Sequence, residues 1–206
     1  MKTHNFTIAA VLFLFFIRFV TINTIVAQTW KTPMEVANTG YITKSVTDGF
    51  FINDNEGWLS CADGIILHST DGGASWRSQT SGVTELLQGI YFTSSTQGWA
   101  VGANGTILTT SNGGSTWSAQ TSNTTRQLNS VHFTSGTQGW AVGATGTILT
   151  TSNGGSTWAA QTSGTTRDLY SVRAVSGTVA WTMGGFSTIL KTTNGGTAWT
   201  SQSPET

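Results

Sequence analysis

The sequence predicts an all-β chain of four repeated units, each of four antiparallel strands, and three observations carry the prediction. The stretch GWAVGANGTILTTSNGGSTW from Gly98 to Trp117 returns as GWAVGATGTILTTSNGGSTW from Gly139 to Trp158, with diverged copies over Gly57 to Trp76 and Ala180 to Trp199. Two tryptophan series keep step: Trp58, Trp99, Trp140 and Trp181 are each 41 residues apart, as are Trp76, Trp117, Trp158 and Trp199, so one supersecondary unit repeats without insertion or deletion. Charged residues are only 9% of the chain, and the abundance of Gly, Ser and Thr is that of a turn-rich β protein rather than a helical or disordered one. Four strands in 41 residues is the size of one β-propeller blade. A β-solenoid fits less well, because its coils are usually shorter per turn.

The N-terminal stretch reads as a secretory leader. Lys2 and His4 precede an apolar run from Phe6 to Ile17, and Ala27 offers a small residue for cleavage before Gln28. Arg18 interrupts the run, at a cost of about 2.5–3.5 kcal/mol for a membrane-spanning helix. The expectation is therefore an exported chain, secreted, periplasmic or lumenal, with no stable membrane span once residues 1–27 are removed; an uncleaved anchor is the alternative. Gln28, Thr29 and Trp30 read as an outer strand in a connector over residues 28–40. The units divide at 41–76, 77–117, 118–158 and 159–199, and 200–206 form a tail. The fourth unit already has its own outer strand, so a closing role for Trp30 implies an open or incomplete ring, or self-association with a second chain. A compact four-bladed ring capped by Trp30 is the other solution.

Within the third unit, apolar and β-branched runs separated by Gly, Ser, Thr and Asn place strands at Leu128 to Phe133, Gly139 to Ala144, Thr147 to Ser152 and Thr157 to Gln161. Thr145 and Gly146 form a tight hairpin turn. The next turn follows the pattern Ser/Thr-x-Asp/Asn-x-Gly-x-Ser/Thr-Trp. It is carried by Asp71, Gly73 and Trp76 in the first unit, Asn112, Gly114 and Trp117 in the second, Asn153, Gly155 and Trp158 in the third, and Asn194, Gly196 and Trp199 in the fourth. The Asp or Asn side chain is expected to bond backbone N–H groups two residues ahead, and the glycines to supply positive φ. Each Trp removes 150–250 Å² from water, roughly 4–6 kcal/mol gross, so the tryptophans are expected to hold the units together.

That turn pattern is the Asp-box. Joined to GWAVGxxGTIL, it resembles the repeat of the photosystem II stability and assembly factor family of propellers more closely than the repeat of sialidases. The resemblance covers roughly Tyr41 to Trp199 and implies a noncatalytic binding protein of about seven blades, of which four units are recognisable here. It implies a protein partner and no cofactor.

Comparison of the units separates scaffold from variation. Glycines, tryptophans and apolar positions persist, whereas polar identities change around Glu85 to Tyr91, Arg126 to His132 and Arg167 to Arg173. In a propeller the inner strands and the loops entering them line the channel and one face. The candidate partner-binding residues are therefore Glu85, Tyr91, Arg126, His132, Arg167, Asp168, Tyr170 and Arg173; drift of a solvated loop between duplicated units is the bland alternative.

Other classes fare worse. Net charge is zero, and nothing forms the basic cluster that nucleic acid requires. The single cysteine, Cys61, aligns with Gly102 and Gly143 and is expected to be a small buried residue. His68 aligns with Thr109, Thr150 and Lys191 and is expected to be exposed. Neither His68 nor His132 has partners at zinc spacing, and Asn112, Asn153 and Asn194 lack the charge of calcium ligands, so no metal is expected. A carbohydrate-binding or sialidase/glycosidase-like module is the runner-up. It would need Arg126, Arg167 and Arg173 to converge, with Asp168 and Tyr170 on one face of a strand.

Overall fold

The computed structural model describes residues 44–202, together with the backbone of two short strands, β1 (Glu35–Val36) and β2 (Gly40–Tyr41), which pair antiparallel. The leader, Trp30 and the last residues of the tail lie outside the described residues. Four antiparallel sheets follow, each a simple meander of four strands. The first is β3 (Val46–Phe51), β4 (Gly57–Cys61), β5 (Ile66–Ser69) and β6 (Arg77–Gln79). The second is β7 (Leu87–Phe92), β8 (Gly98–Gly102), β9 (Ile107–Thr110) and β10 (Ser118–Gln120). The third is β11 (Leu128–Phe133), β12 (Gly139–Gly143), β13 (Ile148–Thr151) and β14 (Ala159–Gln161). The fourth is β15 (Leu169–Ala174), β16 (Ala180–Gly184), β17 (Ile189–Thr192) and β18 (Thr200–Ser201). In the first three sheets the outer strand starts just after the tryptophan at which the sequence units divide, and ends at a glutamine.

The hairpin between the second and third strands is a two-residue turn with both central residues at positive φ, 56° at Thr145 and 69° at Gly146, closed by Thr147 N–H donating to the Ala144 carbonyl at 3.1 Å. This mirror-image turn matches the right-handed twist of the strands it joins. The tryptophan-bearing turn is held differently from expectation. The Thr151 hydroxyl accepts from the N–H groups of Asn153 (3.3 Å) and Gly155 (2.8 Å), and Asn153 Oδ1 accepts from Thr157 N–H, four residues ahead rather than two. The hydroxyl thus fixes the first half of the turn and the amide the second, while Gly154 and Gly155 take φ of 71° and 91°.

Sheets pack face to face in chain order, first on second, second on third, third on fourth, and among the described residues the ring is not closed. The packing explains why β8 and β12 read as unbroken small and apolar runs. Both faces of each strand are covered by neighbouring sheets, and all five residues of each are buried. Trp58 stacks on Phe92 of the next sheet at 3.6 Å and 11°, and Trp99 stacks on Phe133 at 3.5 Å and 10°. Each phenylalanine lies over a glycine of its own sheet; a Cβ on Gly139 would meet the Phe133 ring at 2.6 Å.

A glutamine completes each joint. Gln79 Nε2 and the Trp58 indole N–H both donate to the Gly113 carbonyl, at 2.7 and 3.1 Å, and Gln79 Oε1 accepts from Trp117 Nε1 at 3.2 Å. Gln120 repeats the arrangement with Gly154 and Trp158, at 3.0 Å for each bond. Gln161 does so with Gly195 and Trp199, at 3.0 and 2.9 Å. The third joint lacks the stacked pair, because Ala174 and Ala180 replace the Phe and Gly, and the Trp140 indole N–H is buried without a partner among the described residues.

Cys61 is fully buried, as its alignment with glycine suggests, and burial pushes its thiol up to about 11. Its backbone (φ −139°, ψ 173°) differs from that of Gly102 (φ −169°, ψ −154°), where a Cβ would collide with the Leu86 carbonyl oxygen. His68 is not the exposed residue expected. Its ring stacks on Trp58 at 4.6 Å and 8°, and Nε2 lies 3.2 Å from Glu56 Oε1.

Candidate functional site

The inner strands present one side chain each at the same register. Phe50, Tyr91, His132 and Arg173 stand opposite Trp58, Trp99, Trp140 and Trp181 on the second strands. Because the sheets stack in order, these four side chains follow one another across the blades. Phe50 and Tyr91 rings lie 4.7 Å apart, and Tyr91 and His132 rings 4.5 Å apart. Arg173 ends the row, exposed, with Nη1 donating to the Val172 carbonyl at 2.8 Å.

The electrostatics are those of a partly desolvated row with one cation. Burial, reinforced by the Arg173 charge, holds His132 down at about 4, so it is neutral at pH 7. Its Nδ1 accepts from Ala174 N–H at 3.4 Å. Burial raises the Tyr91 phenol, with Arg173 opposing. Asp48, on β3, is raised by burial against N–H bonds from Ile90 and Gly49 and the Arg173 charge. Arg173 is thus the charge to which Asp48, Tyr91 and His132 all respond.

The remaining candidates lie elsewhere. On β11, Leu128 pairs with Gly143 next to the tight turn, and Phe133 pairs with Gly139 at the other end. His132 and the loop residue Gln127 are therefore roughly 17 Å apart along an extended strand. At the turn end, one pair of repeat positions carries four chemistries. Lys44 forms an ion pair with Asp63. Glu85 and Asn104 line a groove of about 720 Å³ together with Arg126. Arg126 Nη1 donates to Thr145 Oγ1 at 3.0 Å, and the Arg167 guanidinium lies 4.2 Å from the Phe186 ring centroid.

The expected sites therefore separate. Tyr91, His132 and Arg173 share the inner row; Glu85 and Arg126 share the groove; Arg126 and Asp168 meet at the third turn, where Asp168 Oδ1 accepts from Thr145 N–H at 2.8 Å. The three arginines do not form one cluster: Arg126 goes to Thr145, Arg167 to Phe186 and Arg173 to the row. Asp168 precedes β15, whose register is broken by a bulge between Leu169 and Ser171. Tyr170 is 58% exposed on the last sheet. Thr145 and Phe186 are not among the candidates, although the same signal, variation at a fixed repeat position beside invariant residues, marks them. Among the described residues no three His, Cys, Asp or Glu gather as a metal site, and no helix is long and apolar enough to cross a membrane.

The family model for photosynthesis system II assembly factor YCF48 matches residues 75–130 and 117–205. The chain belongs to that family. Among solved structures it is similar to YCF48 bound to D1 peptide, at 18% identity and a TM-score of 0.64 over 87% of this chain and 62% of that one. YCF48 from Cyanidioschyzon merolae matches at 21% identity and a TM-score of 0.64, over 79% of this chain and 57% of that one. This member of the YCF48 family thus spans about three fifths of those chains. The fold is shared as well by an ancestral GH74 enzyme, at 18% identity and a TM-score of 0.62 over 84% of this chain and 25% of that one. No curated protein matches the sequence.

Proposed function

We propose that this YCF48-family chain is an exported, noncatalytic β-propeller array that captures a segment of a partner protein, as an assembly scaffold does. The observation that carries the reading is the continuous inner row Phe50–Tyr91–His132–Arg173: three ring side chains in contact, ending in one exposed guanidinium. Such a row offers apolar contact to an extended peptide and a charge-assisted hydrogen bond at one end. A structural relative, YCF48, is known in a form bound to D1 peptide, and that supports the same mode for this fold.

The carbohydrate-binding or glycosidase-like reading rests on the GH74 enzymes that share the fold. Against it, most of the described carboxylates are engaged in structure. Asp48 accepts from two backbone N–H groups, Asp63 pairs with Lys44, Glu56 with His68, Asp71 braces its turn, and Asp168 holds Thr145. A pair of free carboxylates astride a cleft, as glycoside hydrolysis requires, is not part of that pattern.

The test is capture of proteins from the cell envelope or medium of the source organism, comparing the native chain with Tyr91→Ser/Arg173→Ala. A partner retained by the native chain and lost by the variant, with the variant's melting unchanged, supports the reading. Equal capture by both rejects the inner row. Hydrolysis of a xyloglucan or a sialoside by the purified chain rejects the noncatalytic assignment.

A further inference from the structure

We propose that the third joint, between the third and fourth blades, binds a small uncharged aromatic molecule that carries a hydrogen-bond acceptor. The ligand ring lies on Trp140, in the place a phenylalanine takes at the other joints, and its acceptor receives the Trp140 indole N–H. Both blades that form the site are four-stranded sheets, so the inference stands whatever precedes or follows the array. It does not depend on what the inner row binds.

The joint has lost a ring and gained one methyl. At the first two joints Phe92 and Phe133 cover Trp58 and Trp99 at 3.6 and 3.5 Å. Gly98 and Gly139 admit those rings, since a Cβ on either would meet the phenylalanine opposite at 2.5 and 2.6 Å. Ala174 and Ala180 stand at the equivalent positions of the fourth blade and pair with each other in the same register. A phenyl group is thus missing on one strand, while the strand opposite gains a single carbon. Neighbouring groups close such room only in part. The walls, which include Trp140, Val172, Ala174 and Ala180, are apolar and suit an aromatic ring.

Hydrogen bonds across the joint are missing in step with the ring. The Trp58 and Trp99 indoles donate to the Gly113 and Gly154 carbonyls at 3.1 and 3.0 Å. The Trp140 indole is fully buried and has no acceptor among the described residues. An N–H withdrawn from water with nothing to receive it costs about 1–3 kcal/mol, which a ligand acceptor recovers. Gln97 Nε2 crosses the second joint to the Gly136 carbonyl at 3.0 Å, whereas the side chain of its equivalent, Gln138, makes no such bond to Gly177.

A cleft of about 280 Å³ opens between these two places, with Gln138, Thr150, Ala159, Gly177 and Gly195 in its lining. Gly195 is the equivalent of Gly113 and Gly154, and Thr150 stands opposite Trp140 in the strand register. The cleft therefore runs beside the buried indole. Its volume is close to the roughly 300 Å³ at which ligand pockets begin, which suits one ring and a substituent rather than an oligosaccharide. None of its lining residues is charged, so a neutral molecule enters without leaving an ion desolvated.

Benzamide, a ring with a carbonyl, is the probe, and toluene, the same ring without an acceptor, is the control. Both are titrated into the full chain and followed in proton–nitrogen correlation spectra, where the Trp140 indole signal is the one lost in Trp140→Phe. Benzamide is expected to shift that signal and to bind about tenfold more tightly than toluene. Trp140→Phe is expected to erase the advantage over toluene. Ala174→Phe/Ala180→Gly, which puts the chain's own ring in the site, is expected to weaken benzamide by about tenfold or more. A Trp140 signal that does not move, equal affinity for the two probes, or binding indifferent to Ala174→Phe/Ala180→Gly would overturn the proposal. Should Trp140→Phe fail to fold, the double variant and the ratio of benzamide to toluene affinity decide.

Discussion

The ring of Trp99 lies 3.5 Å from that of Phe133, centroid to centroid, with the planes 10° apart, although the two residues belong to different sheets. The same relationship joins Trp58 to Phe92 and is missing between Trp140 and Ala174. The strength of the array is therefore unequal along its length, and the third joint is the weak one.

Rebuilding that joint is expected to stabilise the protein. Ala174→Phe alone would collide with the Ala180 methyl opposite it in the register, since the phenylalanines of the other sheets lie over glycines. The double substitution Ala174→Phe/Ala180→Gly restores the internal pattern and is expected to add about 1–2 kcal/mol from ring stacking and burial, net of the glycine entropy. Urea melts of the single and double variants check this; a double variant no more stable than Ala174→Phe alone would refute the packing account.

Gln120→Ala removes a side chain that both donates to Gly154 and accepts from Trp158. The expected loss is about 1–3 kcal/mol, because a partly buried indole N–H and a carbonyl lose their partner together. Gln120→Glu keeps the acceptor and loses the donor, and is expected to fall between the two. Chemical denaturation ranks the three chains.

Thr151→Ala is expected to cost about 1–2 kcal/mol and Thr151→Ser much less, because the hydroxyl alone accepts from Asn153 and Gly155. Ser69 plays this part in the first blade, with Gly73 N–H at 2.9 Å. Thermal melting of both variants distinguishes a hydroxyl requirement from a methyl-packing one.

His132 sets a pH dependence with a definite sign. Its folded value, about 4, is below the ordinary 6.5, so between these values the unfolded chain binds a proton that the folded chain does not. Stability contributed by the neutral ring is complete above 6.5 and falls as pH drops toward 4, by about 1–3 kcal/mol. His132→Gln is expected to flatten that part of the stability profile. An unchanged slope between pH 4 and 6.5 would show that His132 is not responsible for it.

The strands and turns were legible because each depends on its own neighbours in sequence. Leu128 to Phe133 has the apolar alternation of a strand, and Thr145–Gly146 has the chemistry of its turn. The joints were half legible. Tryptophans at fixed spacing announce burial, but Gln79 reads as a solvent-facing residue of an outer strand. Its role depends on Gly113 and Trp117, 34 and 38 residues further on. The candidate site shows a similar limit. Variation between units picked out Tyr91, His132 and Arg173 together with Glu85, Arg126 and Asp168, but only the strand register assigns the first group to one end and the second to the other.

Each of the first three blades bears a tryptophan and a glutamine toward its successor and a phenylalanine and a glycine carbonyl toward its predecessor. An in-frame duplication of 41 residues therefore arrives with its own interface already made, and needs no compensating change in the blades on either side. The near-identity of the second and third units is what such growth leaves behind: the gene can lengthen by recombination between its own repeats, and selection then has only to alter the residues at the inner row and the turn end.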